Sequence, residues 1–328
     1  MQILMSDAAH GRVKDQLPIL GDDLDVVTLD STGAFKRGDL SVDLAELDPE
    51  VFWVSLDQYT SGQLMGMFDA IRKGTRGRWV QIFAAGVDNP IFNRIMAKGL
   101  RLTKSSAQSA AIAEYVMAHA LSLLHPIAEQ RAAQAAHDWR FVHYREIAST
   151  NWLIVGYGAI GLEIAKRLHP FGAPLTVVRR SLAPEPLAAQ VRPTSDLLQL
   201  LPEADVVILA CALNDQTRGM ADVDFFAALK PGALLINIAR GGLVDEDALQ
   251  AGLERDQPAM AVLDVFATEP LPADAWFWGH PKVRVTGHCS NAGDGVLGRG
   301  DVLFLENLRR YRSGEALLHE AHPSEVGL

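Results

Sequence analysis

At 328 residues the chain is long enough for two domains of ordinary size, and 48% apolar with 21% charged residues is the composition of a soluble globular protein. A net charge of −10 disfavours nucleic acid or an anionic membrane as the main partner, since neither phosphates nor headgroups would be attracted. Two cysteines, Cys211 and Cys289, make no disulfide framework, and without a C-x-x-C or Cys/His cluster no metal is expected. The N-terminus, MQILMSDAAHGR, meets charge too soon for a signal peptide, and no apolar run reaches the ~18 residues of a membrane span. A cytoplasmic protein without a membrane partner is the expectation.

Strand-like runs at 3–5, 26–29, 51–54, 79–83 and 100–102 alternate with stretches of helical period such as 62–72 and 90–98. This alternation predicts a parallel sheet with helices on both faces. AAGVD, residues 84–88, follows the fourth run; it is either a plain strand-to-helix turn or a small-residue loop whose backbone N–H groups can hold a carboxylate. Residues 105–124 form a long helix capped by Ser105 or Ser106, with Ala110, Ala113, Val116, Met117, Ala120, Leu121 and Leu124 on one stripe. Glu114 and His119 read as structural. Pro126 opens a further, alanine-rich helix at 127–136, which is either an arm against a second subunit or a helix within one chain.

The densest signal is 151–181. Residues 152–155 are a β-branched apolar run, broken at Gly156-x-Gly158-x-x-Gly161; a helical stripe follows to Leu168, Phe171-Gly172 stops it, and 175–178 is the next strand. Gly156 allows the sharp turn, Gly158 lets the backbone approach a pyrophosphate, and Gly161 lets helix pack on strand, while Ala159 and Ile160 sit at the helix N-terminus with unpaired N–H donors. An NAD site usually places Asp or Glu at the tip of the second strand, about 20 residues beyond the glycines. Here the tip reads Arg179-Arg180-Ser181, whose donors suit a 2′-phosphate, so NADP is favoured with NAD as the lesser possibility. The competing reading is two arginines on a solvated loop.

Strands at 204–209, 233–238 and 259–265 then alternate with helices at 223–229 and 245–253, the second half of a doubly wound sheet. Polar residues gather at the strands' carboxyl ends: 211–217, 239–242, 264–269 and 287–288.

With these residues in view, the chain resembles the D-2-hydroxyacid dehydrogenase family, which includes glyoxylate/hydroxypyruvate reductases and phosphoglycerate dehydrogenase. The resemblance runs over 81–288 through AAGVD, AAIAEY, VGYGAIG, NIARGGLVDEDAL, LDVFATEPLP and VTGHCSNA in the family's order. Three departures stand out: Arg179 replaces an acidic residue, CALNDQT stands where a proline-containing segment is common, and Gly287 replaces the proline before His288. The resemblance implies two doubly wound parallel-sheet domains. One is a Rossmann nucleotide domain over 102–288; the other is a flavodoxin-like catalytic domain over 1–101 and 289–328, with substrate in the cleft between them. It also implies that a helix at 296–311 returns to the first domain, and that the protein is a homodimer.

Reducing a 2-oxo acid needs a cation to hold the carboxylate and polarise the ketone, a hydride donor, and an acid for the forming alkoxide. Arg240, Glu269 and His288 match the family's catalytic positions. Arg240 would grip carboxylate and carbonyl with its rigid fork, His288 would act as acid/base, and Glu269 would favour the imidazolium. Ala85, Gly86 and Val87 would complete the carboxylate grip. Asp264 would accept from the nicotinamide carboxamide, with Cys211, Thr217, Ile238, Ala239, Arg240 and His288 also lining the cofactor. Without the resemblance, His288 reads as a satisfied histidine, Glu269 as a turn residue and Arg240 as surface charge. Cys289 reads as a small buried thiol, and Trp276 and Trp278 as either cleft lining or core. The expected activity is reduction of glyoxylate, hydroxypyruvate or a related acid. The alternatives are a reductase of bulkier aryl or branched acids and a dinucleotide-sensing binding protein of corepressor type.

Overall fold

β-Branched side chains suit a pleated surface, and the apolar runs fold as strands buried on both faces. The computed structural model describes all 328 residues and divides them into two units, Met1–Gln108 with Asp294–Leu328, and Ser109–Gly293.

The first unit holds β1 (Gln2–Ser6), β2 (Asp25–Leu29), β3 (Phe35–Arg37), β4 (Leu40–Val42), β5 (Val51–Val54), β6 (Trp79–Ile82) and β7 (Arg101–Thr103), in the order β4-β3-β2-β1-β5-β6-β7. The pairs among β2, β1, β5, β6 and β7 are parallel, as the alternation predicts. β3 and β4 add an antiparallel hairpin at one edge that the pattern does not reveal. Each of its strands is three residues long and half solvated, too short to show a period. The helix Val296–Arg312 packs on this sheet: Phe304 stacks on Trp53 at 4.1 Å between centroids and lies 5.7 Å from Trp79, which in turn stacks on Tyr311 at 5.4 Å. Phe304 is fully buried, worth about 1.5–3 kcal/mol of apolar transfer. Buried Asn307 adds direction, donating to Gln81 Oε1 at 2.9 Å and accepting from the Leu318 N–H at 2.7 Å. Apolar burial and these polar bonds together tie the chain's end to its beginning.

The second unit holds β8 (Trp152–Val155), β9 (Leu175–Val178), β10 (Gln190–Arg192), β11 (Val206–Leu209), β12 (Leu234–Asn237), β13 (Met260–Leu263) and β14 (Val283–Val285), all parallel, in the order β10-β9-β8-β11-β12-β13-β14. Strand order reverses between β8 and β11, the switch point at which open α/β sheets bind ligands. The sequence pattern misses β10 and β14, which are three-residue strands carrying arginine. The long helix starts at Ser109, not at 105: Ser105 Oγ accepts from the Ala107 N–H at 3.1 Å in the turn that precedes it. Ser109–Leu124 and the next helix, Ile127–Ala135, meet at 55°; no single helix is long and apolar enough to cross a membrane.

Candidate nucleotide-binding and catalytic site

The glycine turn leaves β8 into the helix Ala159–Leu168. Gly156 has φ +95°, and a Cβ there would lie 2.5 Å from the Cys211 backbone. A side chain at 156 would therefore wedge apart the ends of β8 and β11. Gly158 is the N-cap, makes no side-chain cap bond, and has open space where a Cβ would stand. Gly161 packs so closely on the Gly156 carbonyl that a Cβ would come within 2.8 Å. Small, open and followed by free helical N–H groups of Gly158, Ala159 and Ile160, this turn fits a pyrophosphate.

At the tip of β9, Arg179 and Arg180 differ sharply. Arg179 donates to the carbonyls of Ser181 at 2.8 Å and Ala183 at 2.6 Å, stands 3.8 Å from Glu185, and lies over the Tyr157 ring at 5.4 Å. Its guanidinium is largely committed to shaping its own loop. Arg180 is exposed, has no such partners, and stands beside exposed Ser181. Past β11, the Thr217 hydroxyl donates to the Ala212 carbonyl at 2.7 Å and accepts from the Asn214 N–H at 2.9 Å, which closes the 212–217 turn. Cys211 is partly buried against Met220, and burial pushes its thiol up to about 11.

Past β12, Ile238 and Ala239 are buried. Asn237 Nδ2 donates to the Arg240 carbonyl at 3.0 Å, its Oδ1 accepts from the Ala239 N–H at 3.1 Å, and Arg240 Nη1 donates to the Ala239 carbonyl at 2.7 Å. The next residue, Gly241, presses on the neighbouring loop: a Cβ would sit 1.9 Å from the Phe266 carbonyl carbon and 2.3 Å from the Ala267 nitrogen. Only glycine allows the Arg240 loop and the 266–269 loop this approach. That second loop carries Glu269, whose Oε1 accepts from the Phe266 N–H at 2.9 Å while Oε2 meets His288 Nδ1 at 2.8 Å. Histidine and glutamate, 19 residues apart in sequence, are thus paired. His288 is 45% exposed at its side chain and holds φ +51°, a backbone state costly for any residue with a Cβ.

Asp264 maintains that state. It is fully buried, and its carboxylate accepts from Thr286 Oγ1 at 2.6 Å, the Cys289 N–H at 2.9 Å and the Ser290 N–H at 3.0 Å, while its carbonyl accepts from the His288 N–H at 2.9 Å. The Tyr115 hydroxyl and Thr286 Oγ1 share a further bond at 2.7 Å, and burial pushes the Tyr115 hydroxyl up to about 12. Sequence reasoning missed Tyr115 and Thr286. Each lies inside a quoted motif, AAIAEY and VTGHCSNA, but only the fold brings the two motifs together. Cys289 is exposed, contrary to the buried thiol expected, because its backbone N–H rather than its side chain turns toward Asp264. Trp276 stacks on Phe277 and packs on the core of this unit, whereas Trp278 is 54% exposed.

In the first unit, the Ala84 carbonyl after β6 accepts from the Ser105 N–H at 2.9 Å, and Val87 is buried. No hydrogen bond engages the N–H groups of Ala85, Gly86 or Val87.

An all-parallel sheet with this strand order, a glycine turn at its switch point, and a His–Glu pair at its carboxyl edge define the dinucleotide-binding domain of an NAD(P)-dependent oxidoreductase. The chain belongs to the D-isomer specific 2-hydroxyacid dehydrogenases: residues 117–290 match the model of that family's NAD binding domain. Over 233 residues it is 33% identical to glyoxylate/hydroxypyruvate reductase A of Serratia proteamaculans (strain 568), covering 65% of this chain and 71% of the relative. It is 31% identical over 233 residues to D-3-phosphoglycerate dehydrogenase of Mycobacterium leprae (strain TN), covering 70% of this chain but only 44% of that longer relative. Among solved structures, a D-isomer specific 2-hydroxyacid dehydrogenase from Xanthobacter autotrophicus Py2, in complex with NADPH and MES, superposes with a TM-score of 0.78 at 25% identity over 99% of both chains.

Proposed function

We propose that this protein is an NADPH-preferring reductase that converts glyoxylate, hydroxypyruvate or a related small 2-oxo acid to the D-2-hydroxy acid. The observation that carries the proposal is the His288–Glu269 pair on a strained turn anchored by Asp264. The names of the Serratia and Xanthobacter relatives support the acid and the cofactor. NADPH supplies the hydride. Gly156, Gly158, Ala159, Ile160 and Gly161 hold the pyrophosphate through backbone donors. Arg180 and Ser181 take the 2′-phosphate, on a loop that Arg179 shapes, and Cys211, Thr217, Ile238 and Ala239 line the remainder. Arg240 binds the substrate carboxylate and polarises the ketone, with backbone donors from Ala85, Gly86 and Val87. Because Glu269 engages Nδ1, the proton His288 delivers to the forming alkoxide leaves from Nε2. Asp264, expected to accept from the nicotinamide carboxamide, is instead fully buried with its carboxylate engaged by Thr286, Cys289 and Ser290, and acts by fixing the backbone that presents His288.

A homodimer in the cytoplasm completes the proposal. Trp139 and Phe141, 103% and 85% exposed beyond the helix Ile127–Ala135, favour a second copy covering this arm, since aromatic surface of that size is costly in water.

A panel of glyoxylate, hydroxypyruvate and phenylpyruvate, each followed with NADPH and NADH separately, tests the assignment. The two small acids should turn over with NADPH fastest. Turnover of none of the three, or of phenylpyruvate alone, would reject it.

A further inference from the structure

The N-terminal ends of β5, β6 and β7 form the edge of the first sheet opposite the Ala85–Val87 loop. None of the residues assigned to the reaction stands there. Backbone bonds set three charged residues side by side: the Arg78 N–H donates to the Glu50 carbonyl at 2.8 Å, and the Arg101 N–H donates to the Arg78 carbonyl at 2.8 Å. Together with Arg76, Gly99 and Tyr311 they line a hollow of about 450 Å³.

The hollow's charges are unbalanced. Arg76 and Arg78 are exposed and have no carboxylate within ion-pairing distance. Arg101 gives Nε and Nη2 to Glu320 at 2.7 and 2.8 Å, which fixes its fork and leaves Nη1 unused. The one carboxylate of the lining, Glu50, takes the Tyr311 hydroxyl at 2.7 Å on Oε1 and pairs with no arginine. The lining therefore carries three guanidinium groups and one carboxylate, with Arg101 paired to Glu320 and the Asp48 carboxylate accepting the Arg76 N–H at 2.9 Å outside it, in a chain whose net charge is −10. Gly99, at φ +88°, leaves open space where any other residue would place a Cβ. Guanidinium forks match the spread oxygens of a phosphoryl group better than a single point charge would. The volume falls in the ~300–1,000 Å³ range of small-molecule sites, which leaves room for more than a bare anion.

We infer that this hollow binds a small phosphate monoester, its phosphoryl group held by Arg76, Arg78 and Arg101. Nothing in the inference depends on the proposed reaction. The test is calorimetric titration of glycerol 3-phosphate and, separately, inorganic phosphate into the full-length protein and two double variants. The variant R76Q/R78Q alters only exposed side chains, and circular dichroism checks that it folds; R179Q/R180Q controls for the anion site of the nucleotide loop. Saturable binding of glycerol 3-phosphate should survive in R179Q/R180Q and weaken about tenfold or more in R76Q/R78Q. Tighter binding of inorganic phosphate than of the ester would overturn the ester assignment. Equal affinity in R76Q/R78Q and the parent, loss in R179Q/R180Q, or no saturable binding at all would overturn the site.

Discussion

Replacing Asp264 by Asn changes one atom in a fully buried side chain that faces three donors and no acceptor. With the amide oxygen toward Thr286 and Cys289, the amide nitrogen opposes the Ser290 N–H; flipped, it opposes the other two. At least one buried donor is left unsatisfied in either orientation, costing about 1–3 kcal/mol, and the charge assistance of the remaining bonds is lost as well. A total of about 2–4 kcal/mol follows, and for a unit of this size that lowers the thermal midpoint by roughly 5–15 °C. The penalty falls on the 286–290 turn, whose loosening frees His288 from φ +51°. The turnover number should drop more than the affinity for NADPH, because the glycine turn is untouched. Differential scanning calorimetry and steady-state kinetics on Asp264→Asn measure both. Thr286→Val, which removes one donor and leaves the Cys289 and Ser290 bonds, should show a smaller loss of midpoint. If Asp264→Asn melts and turns over like the parent, the carboxylate does not hold the catalytic turn and the reasoning fails.

Arg180→Ser should raise the KM for NADPH about tenfold or more and leave NADH unaffected, since one charge-assisted phosphate contact is worth ~1.5–3 kcal/mol. Arg179→Ser should weaken both cofactors, because it releases the loop bonded through Ser181 and Ala183; matching effects of the two variants on the NADPH/NADH ratio would contradict this division of labour. At pH 8 iodoacetamide should modify exposed Cys289 and spare Cys211, whose thiol at about 11 holds only about one part in a thousand as thiolate, a fraction that grows as pH rises toward that value. Rapid labelling of both cysteines in the native protein would show that Cys211 is not shielded. Trp139→Glu should convert a dimer to a monomer in light scattering without lowering helix content; a monomeric parent would remove the assigned role of the arm.

The second unit was legible because its signals are local. The apolar run at Trp152–Val155, the glycines, the following helix and the next strand lie within about 30 residues, and each glycine's role is dictated by steric limits that travel with the sequence. Short half-solvated strands such as Phe35–Arg37 and Val283–Val285 were not, since three residues cannot display a period of two. The same holds for the start of the long helix, where Ser105 caps a turn and not the helix.

By itself the sequence determined that the protein is α/β and where the nucleotide turn lies, because periodicity and glycine sterics act between near neighbours; Arg240, Glu269 and His288 were singled out by the family resemblance of their motifs. Tertiary structure alone decided that Glu269 meets His288, that Tyr115 and Thr286 stand behind Asp264, that Arg179 is spent on its own loop while Arg180 is not, and that Phe304 closes the first unit's core. Apart from the bonds of Arg179 to Ser181 and Ala183, those contacts join residues tens to hundreds of positions apart. Each depends on where the packed sheets bring two strand ends or faces together, and no local pattern encodes that distance.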